Sequence, residues 1–234
     1  VEKNIMNVKL ISYSKPSYDM MHHTSEYDEE NFLKQQPIQD LIAFCARVSN
    51  PDNQMNSETT DKLIKYLVKN KHWSPLEMVS VCLEIETTRD IARQILRHRS
   101  FSFQEFSQRY ADPTKDLTFE TRDARLQDTK NRQNSIETDN LGLQHTWEHK
   151  QLTVIERAQK VYNWAIENGI AKEQARAVLP EGLTMSRMYM NGTLRSWVHY
   201  IDLRSANGTQ KEHADIALEC AKVISEIFPL MNEI

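Results

Sequence analysis

The sequence predicts an α+β fold in which a single, mostly helical domain carries a modest central sheet. Apolar residues recur at helical spacing over most of the 234 residues. Only two short stretches, 8–13 and 79–86, have the composition or the apolar–polar alternation of strands. The chain has five glycines and no Gly-x-Gly-x-x-Gly, so a dinucleotide would have to bind without a Rossmann phosphate loop.

The elements of the first half follow from periodicity and from turn residues. Pro37 is well placed to begin a helix that continues until Asn50-Pro51 stops it. The other predictions are, in order, a strand over 8–13, a polar loop over 20–36, a linker over 53–59, a helix over 63–68, a turn over 72–77, a strand over 79–86, a helix over 91–96 and an extended segment that runs to Tyr110.

The second half begins with a stretch, 112–142, that is charged and poor in core residues. We expect it to be an insertion or loop region with short elements of its own, inside a single domain of residues 1–234. The remaining predictions are a long helix over 147–166 ending near Gly169, a short helix over 172–178, turns at Asn191-Gly192 and Asn207-Gly208, a helix between these turns, and a last helix over 216–227.

Composition excludes several classes of protein. The net charge of −4 argues against a general nucleic-acid or membrane-surface binder, and no apolar run approaches the ~20 residues that span a bilayer. The N-terminus has no secretory pattern, so we expect a cytoplasmic protein. The three cysteines (Cys45, Cys82 and Cys220) are too few and too widely spaced for a disulfide framework or a zinc knuckle, and we expect no metal.

The most informative segment is 97–110, which reads RHRSFSFQEFSQRY. Basic groups close a helix, and aromatic and polar residues then alternate from Phe101 to Phe103, as in a partly buried strand. Partly buried arginines need partners, and a bound anion such as phosphate is a good one. The segment therefore predicts an anion-binding site.

This segment resembles the signature of the flavin-dependent thymidylate synthases, which is Arg-His-Arg, seven residues, then Ser. Arg97, His98, Arg99 and Ser107 match it without a gap, and the resemblance extends over 38–228. It implies an α+β fold and a homotetramer with active sites at subunit interfaces. The implied reaction is reductive methylation of dUMP to dTMP, with 5,10-methylenetetrahydrofolate as carbon donor, FAD as hydride carrier and NADPH as reductant.

The resemblance also implies which residues bind dUMP. Arg204 would favour the anionic form of the uracil ring and act as a catalytic residue. Ser107 would act through phosphate or base contact, because a nucleophilic serine needs an adjacent base and none is evident. The full implied set is Gln94, Arg97, Glu105, Phe106, Ser107, Gln108, Arg109, Arg176 and Arg204.

A second implied set holds FAD. Its members are His72, Ser74, Arg97, His98, Arg99, Glu105, Arg195 and His199. The chain departs from many family members at four positions: Gln108 replaces a glycine, while Gln104, Thr193 and His199 replace asparagines.

Two other functions are compatible with parts of the sequence. His145-Thr146-Trp147-Glu148-His149 fits the His-x-x-Glu-His pattern of inverted zinc peptidases, without a third ligand downstream. The arginines and phenylalanines of 97–110 are also of the type that binds single-stranded nucleic acid, although the net charge argues against that function.

Overall fold

A four-stranded antiparallel sheet forms the centre of the structure, a computed structural model that describes residues 7–17 and 37–233. The predicted loop over 20–36 lies outside these residues. The strand order is β1-β2-β6-β3, and two further strands, β4 and β5, pair separately. The strands are β1 Asn7–Tyr13, β2 Ser80–Thr88, β3 Phe101–Glu105, β4 Arg125–Gln127, β5 Ser135–Glu137 and β6 Met185–Thr193.

Strand β2 has the alternation that the sequence predicts. Val81, Leu83 and Ile85 are fully buried in the main hydrophobic core, whereas the residues between them are half-buried. Because β2 pairs with β1 on one edge and β6 on the other, its backbone is satisfied on both sides. Trp197 also donates its indole N–H to the Val81 carbonyl at 3.0 Å, which fixes a helix against the sheet.

The prediction of a turn at Asn191-Gly192 is wrong. Both residues lie inside β6, where Gly192 is paired with Val81 on one side and Phe101 on the other. A Cβ atom at Gly192 would lie 2.4 Å from Cδ1 of Phe101, so the glycine is needed for close packing in a strand. The predicted turn at Asn207-Gly208 is confirmed. It follows a helix, and Gly208 has a φ of +94°.

The described residues, 7–17 and 37–233, contain eight α-helices in addition to the sheet. They are α1 Pro37–Ala46, α2 Thr60–Lys69, α3 Arg89–Ile95, α4 Pro113–Asp116, α5 Leu141–Glu167, α6 Lys172–Ala175, α7 Leu194–Ser205 and α8 Lys211–Ser225. Helix α1 begins at Pro37 as predicted but ends before Arg47, whose guanidinium turns back to the Asn56 carbonyl and to Thr59. Gly169, with a φ of +77°, follows α5.

The segment 112–142 carries α4 and the β4–β5 hairpin. Its contacts with the rest of the chain are both polar and apolar. The Arg125 guanidinium lies 2.5 Å from Glu212 on α8, Asn134 donates to Asn207 at 3.3 Å, and Phe119 packs against a small hydrophobic cluster that includes Tyr162. Phe119 forms an isolated bridge with Thr184 just before β6. The hairpin is therefore attached to the α7–α8 connection, close to the end of α7.

Candidate active site

The end of α3 meets the end of α7 at a histidine–arginine contact. Arg204 donates its Nε–H to Nε2 of His98 at 2.9 Å. Burial, together with the charges of Arg204 and Arg97, lowers the pKa of His98 to about 4. His98 is therefore neutral at pH 7 and accepts from the guanidinium, which keeps its positive charge.

This region has more cationic than anionic groups. Among the described residues, Arg97, Arg99 and Arg204 take part in none of the ion pairs, although eight other arginine–carboxylate contacts are present. Arg97 and Arg99 are exposed, and Arg204 is half-buried. Cations that no carboxylate neutralises favour an anionic ligand beside the end of α3.

The turn before β2 packs on the first half of α7. Lys71 has a φ of +59°, and the chain then turns into His72 and the short 3₁₀ helix Ser74–Glu77. The ring of Trp73 lies 4.5 Å from that of His199, and Arg195 donates to Glu77. The structure thus places the predicted flavin residues of the turn beside those of α7, with His72, Ser74 and His199 exposed.

The extended segment ends earlier than predicted. Strand β3 stops at Glu105, and Ser107 begins a turn in which its carbonyl accepts from the Tyr110 N–H at 3.0 Å. The turn is attached to α6: Lys172 donates to the Tyr110 carbonyl, and Arg109 pairs with Glu173 at 3.4 Å. The Arg176 side chain donates to the carbonyl of the same Glu173.

Arg109 and Arg176 are therefore neighbours, although they are far apart in sequence. Ser107 lies beside them, and its Oγ accepts a long bond of 3.4 Å from the Arg109 N–H. Within the described part of the chain, no basic side chain is hydrogen-bonded to this hydroxyl. Gln108 is 4% exposed, and its Nε2 has no hydrogen-bond partner among the described residues. A buried amide N–H without an acceptor is costly, so this donor is available to a ligand or to another chain.

Glu105, at the end of β3, is held by groups that its local sequence does not reveal. The Ser186 hydroxyl donates to it at 2.9 Å, and the Arg89 guanidinium lies 3.6 Å away. Arg89 is itself 6% exposed and also contacts Glu181 at 3.5 Å. The carboxylate is thus ion-paired and fixed in place, 17% exposed.

The predicted site residues fall into two groups at opposite ends of β3. Arg97, His98, Arg204 and the residues of the 72–77 turn lie near its start, while Ser107, Arg109 and Arg176 lie beyond its end. A five-residue strand spans about 13 Å between its first and last Cα atoms. The length of β3 therefore separates the two groups within one chain.

Gln94 lies beside His213, a residue to which the sequence analysis assigned no role. His213 is fully buried, and its Nδ1 lies 3.3 Å from Oε1 of Gln94, while Nε2 lies 3.1 Å from the Tyr200 hydroxyl. Burial, Arg204 and His98 lower the pKa of His213 to about 4. Its position on the apolar face of α8, one turn before Ile216, was visible in the sequence, but its contact with α3 was not.

The histidines of the zinc-peptidase pattern lie on a different element from this region. His145 and His149 are exposed on α5, and the described residues contain no group of three or more possible metal ligands. Burial raises the pKa of the Cys45, Cys82 and Cys220 thiols, which makes thiolates less available. In the described parts of the chain, no helix combines the length and apolarity needed to cross a bilayer.

Comparison with known proteins gives consistent results. A family described as "Thymidylate synthase complementing protein" matches residues 32–230. A probable flavin-dependent thymidylate synthase of Paramecium bursaria Chlorella virus 1 is 46% identical over 96% of both chains. A flavin-dependent thymidylate synthase of Synechocystis is 45% identical, again over 96% of both.

The fold has a counterpart among solved structures. A UMP/dUMP methylase, PolB from Streptomyces cacaoi, solved with 5-Br UMP, superposes with a TM-score of 0.75 at 23% identity, over 97% of this chain and 92% of the other. The α+β architecture is thus confirmed. With the full-length similarity to the viral and cyanobacterial proteins, it shows that the chain belongs to the flavin-dependent thymidylate synthase family.

Proposed function

We propose that this protein is a flavin-dependent thymidylate synthase that converts dUMP to dTMP. The observation that carries the proposal is the 46% identity over nearly the whole chain. The carbon donor is 5,10-methylenetetrahydrofolate and the reductant is NADPH. FAD, when bound, supplies hydride transfer, and the protein supplies binding, orientation and electrostatics. We place the enzyme in the cytoplasm.

The dUMP site consists of groups from both ends of β3. Ser107, Arg109 and Arg176 bind the phosphate, with Phe106 and Gln108 in the same loop and the fixed carboxylate of Glu105 at its start. Gln94, Arg97 and Arg204 bind the base. The proximity of Arg109 and Arg176, which both contact Glu173, supports the first assignment because it brings two cations together. The free charge of Arg204, beside a neutral His98, supports the second.

The residues fit an anionic dinucleotide such as FAD. Its two phosphates need cations, and Arg97 and Arg99 are exposed without an ion pair among the described residues. We assign the remaining FAD contacts to His72, Ser74, His98, Glu105, Arg195 and His199. The packing of the 72–77 turn on α7 supports this grouping, because it brings these elements together within one chain.

We further propose that the enzyme is a homotetramer in which each active site combines the two groups from different subunits. Two features support a shared site. Strand β3, which separates the two groups of residues, spans about 13 Å. The buried Nε2 of Gln108 has no hydrogen-bond acceptor among the described residues. Residues 1–234 form one catalytic domain, with 112–142 as an insertion in it.

A visible absorption spectrum tests the proposal directly. The purified protein, loaded with FAD, should show a flavin spectrum that shifts when dUMP is added, because both ligands share one site. With 5,10-methylenetetrahydrofolate and NADPH present, dTMP should form. A folded protein that binds no flavin, or that binds both ligands and makes no dTMP, would contradict the assigned activity.

A further inference from the structure

A continuous chain of side-chain hydrogen bonds passes through Gln94 and links α7, α8, α3 and the β4–β5 hairpin. Each link joins side chains far apart in sequence or on different elements, apart from the one between residues 210 and 212. In order, the contacts are Tyr200 Oη to His213 Nε2 at 3.1 Å, His213 Nδ1 to Gln94 Oε1 at 3.3 Å, Gln94 Nε2 to Gln210 Oε1 at 2.8 Å, Gln210 Nε2 to Glu212 Oε2 at 3.0 Å, and Glu212 Oε1 to Arg125 Nη2 at 2.5 Å.

The carboxylate at one end fixes the direction of every bond in this chain. Ionised Glu212 can only accept, so the amide of Gln210 must turn its N–H towards it and its oxygen towards Gln94. Gln94 must then donate to Gln210, which leaves its own oxygen facing His213.

The same reasoning fixes the tautomer of the histidine. Because the Gln94 oxygen only accepts, His213 must carry its proton on Nδ1 and accept from the Tyr200 hydroxyl at Nε2. Both rings are buried. The lowered pKa of His213 and the raised pKa of Tyr200, each caused mainly by burial, keep the imidazole neutral and the hydroxyl protonated, as the directions require.

We propose that Glu212 and His213 are positioning residues that fix the orientation of the Gln94 amide. The inference rests on the proposed function, in which Gln94 binds the pyrimidine base. Gln94 uses one N–H for Gln210 and one oxygen lone pair for His213, so its second N–H is kept for an acceptor, such as a carbonyl oxygen of uracil. Arg125 gives the 112–142 segment a role here, because it holds Glu212 with one carboxylate oxygen towards Gln210.

Glu212→Gln tests this with little change in shape. Arg125 would still bind the oxygen of the new amide, whose NH₂ would then face Gln210. The amides of Gln210 and Gln94 would have to turn over, and Gln94 would present oxygen where it now presents N–H. We expect the Kd for dUMP, measured by titration of the FAD-loaded protein, to rise about tenfold, with FAD affinity unchanged. Asp215→Asn, also on α8 and paired with Lys211, is the matched control and should leave Kd unchanged.

A double-mutant cycle separates positioning from general structural damage. If Glu212 acts through Gln94, Glu212→Gln should change dUMP affinity little in a Gln94→Ala background. An equal loss in both backgrounds would overturn the inference, as would an unchanged Kd in the single variant. Failure of the wild type to bind dUMP would instead overturn the proposed function.

Gln210→Ala provides a second test that does not depend on how Glu212→Gln folds. Gln210 is half-buried just before α8, and its side chain makes no capping bond. Truncating this side chain therefore interrupts the series of hydrogen bonds without leaving a cavity in the core. The Kd for dUMP should rise severalfold. Wild-type affinity in this variant would also overturn the inference.

Discussion

At the scale of single residues, the neutral state of His98 determines what Arg204 can do. A carboxylate in this position would pair with the guanidinium and cancel its charge. A neutral imidazole that accepts from Nε at 2.9 Å orients the guanidinium and leaves the charge free for a ligand. Arg204 is therefore oriented yet electrostatically available, as a group that stabilises an anionic ring should be.

Arg204→Ala should lower dTMP formation by at least about 100-fold, because it removes the charge that favours the anionic uracil. FAD should remain bound, since the assigned flavin contacts are other residues. Turnover and flavin absorbance measured on the same sample check both statements. Arg204→Lys is the control. It keeps the positive charge but loses the planar guanidinium, so its activity should lie between those of the wild type and Arg204→Ala. Wild-type turnover in Arg204→Ala would contradict the role.

Buried neutral histidines should make stability depend on pH. His98 and His213 have pKa values of about 4 in the fold against an ordinary 6.5, so the unfolded chain binds more protons between these values. The free energy of unfolding should be highest above pH 6.5 and fall as the pH drops towards 4. Chemical denaturation at pH 7 and pH 5.5 measures this difference.

Comparing variants separates the histidines from the carboxylates, because carboxylates such as Asp40, whose pKa is raised by burial, are the same in every protein compared. Asp90 and Glu86, whose pKa values lie below their ordinary 3.8 and 4.5, lose their contribution only at lower pH. Between pH 7 and pH 5.5, His213→Gln should lose less stability than the wild type, whereas His145→Gln, exposed on α5, should behave as wild type. Equal losses in all three proteins would rule out a contribution from His213.

At the scale of elements, the close contact between β6 and β3 gives a test of packing. Gly192→Ala would place a Cβ atom 2.4 Å from the Phe101 ring, so the strands or the ring must shift. We expect the free energy of unfolding to fall by about 1–3 kcal/mol, measured by denaturant titration. Gly142→Ala in the first turn of α5 is the control, because its nearest atom lies at 3.4 Å and alanine favours helix.

Elements with one buried face could be predicted from the sequence, and those defined by their neighbours could not. Strand β2 and helix α8 show their burial as periods of two and of 3.6 residues. Strand β6 contains Asn191-Gly192, a typical turn pair, near its end, and it is an inner strand because β2 and β3 pair with its two edges. Its assignment needed tertiary information.

The same division holds for the candidate site. The signature located Arg97 to Ser107, and short motifs located Arg176 and Arg204. The groups that hold these residues, such as Arg89 beside Glu105 and His213 beside Gln94, lie on other elements. A contact between residues 119 positions apart leaves no local pattern in one sequence. Candidate ligand-binding motifs are thus easier to find in one sequence than the residues on other elements that hold them in place.

At the scale of the whole molecule, the surface of α5 is suited to contact another subunit. Leu143, Trp147 and Val154 lie on one side of this helix and are 39%, 44% and 50% exposed. Their spacings of four and seven residues place them on a single stripe beside the buried face. A stripe of large apolar side chains is stabilised when a second chain covers it.

Mixing two inactive variants tests whether sites are shared between subunits. Arg204→Ala removes a residue near the start of β3, and the double variant Arg109→Ala/Arg176→Ala removes two beyond its end. If each site takes these groups from different subunits, hybrids formed by co-expression contain some sites with neither defect. Random assembly should restore about a quarter of wild-type dTMP formation. If one chain supplied both groups, every site would keep a defect and the hybrids would stay inactive. Co-expression of Arg204→Ala with the triple variant Arg109→Ala/Arg176→Ala/Arg204→Ala is the control, because no arrangement of these chains restores Arg204.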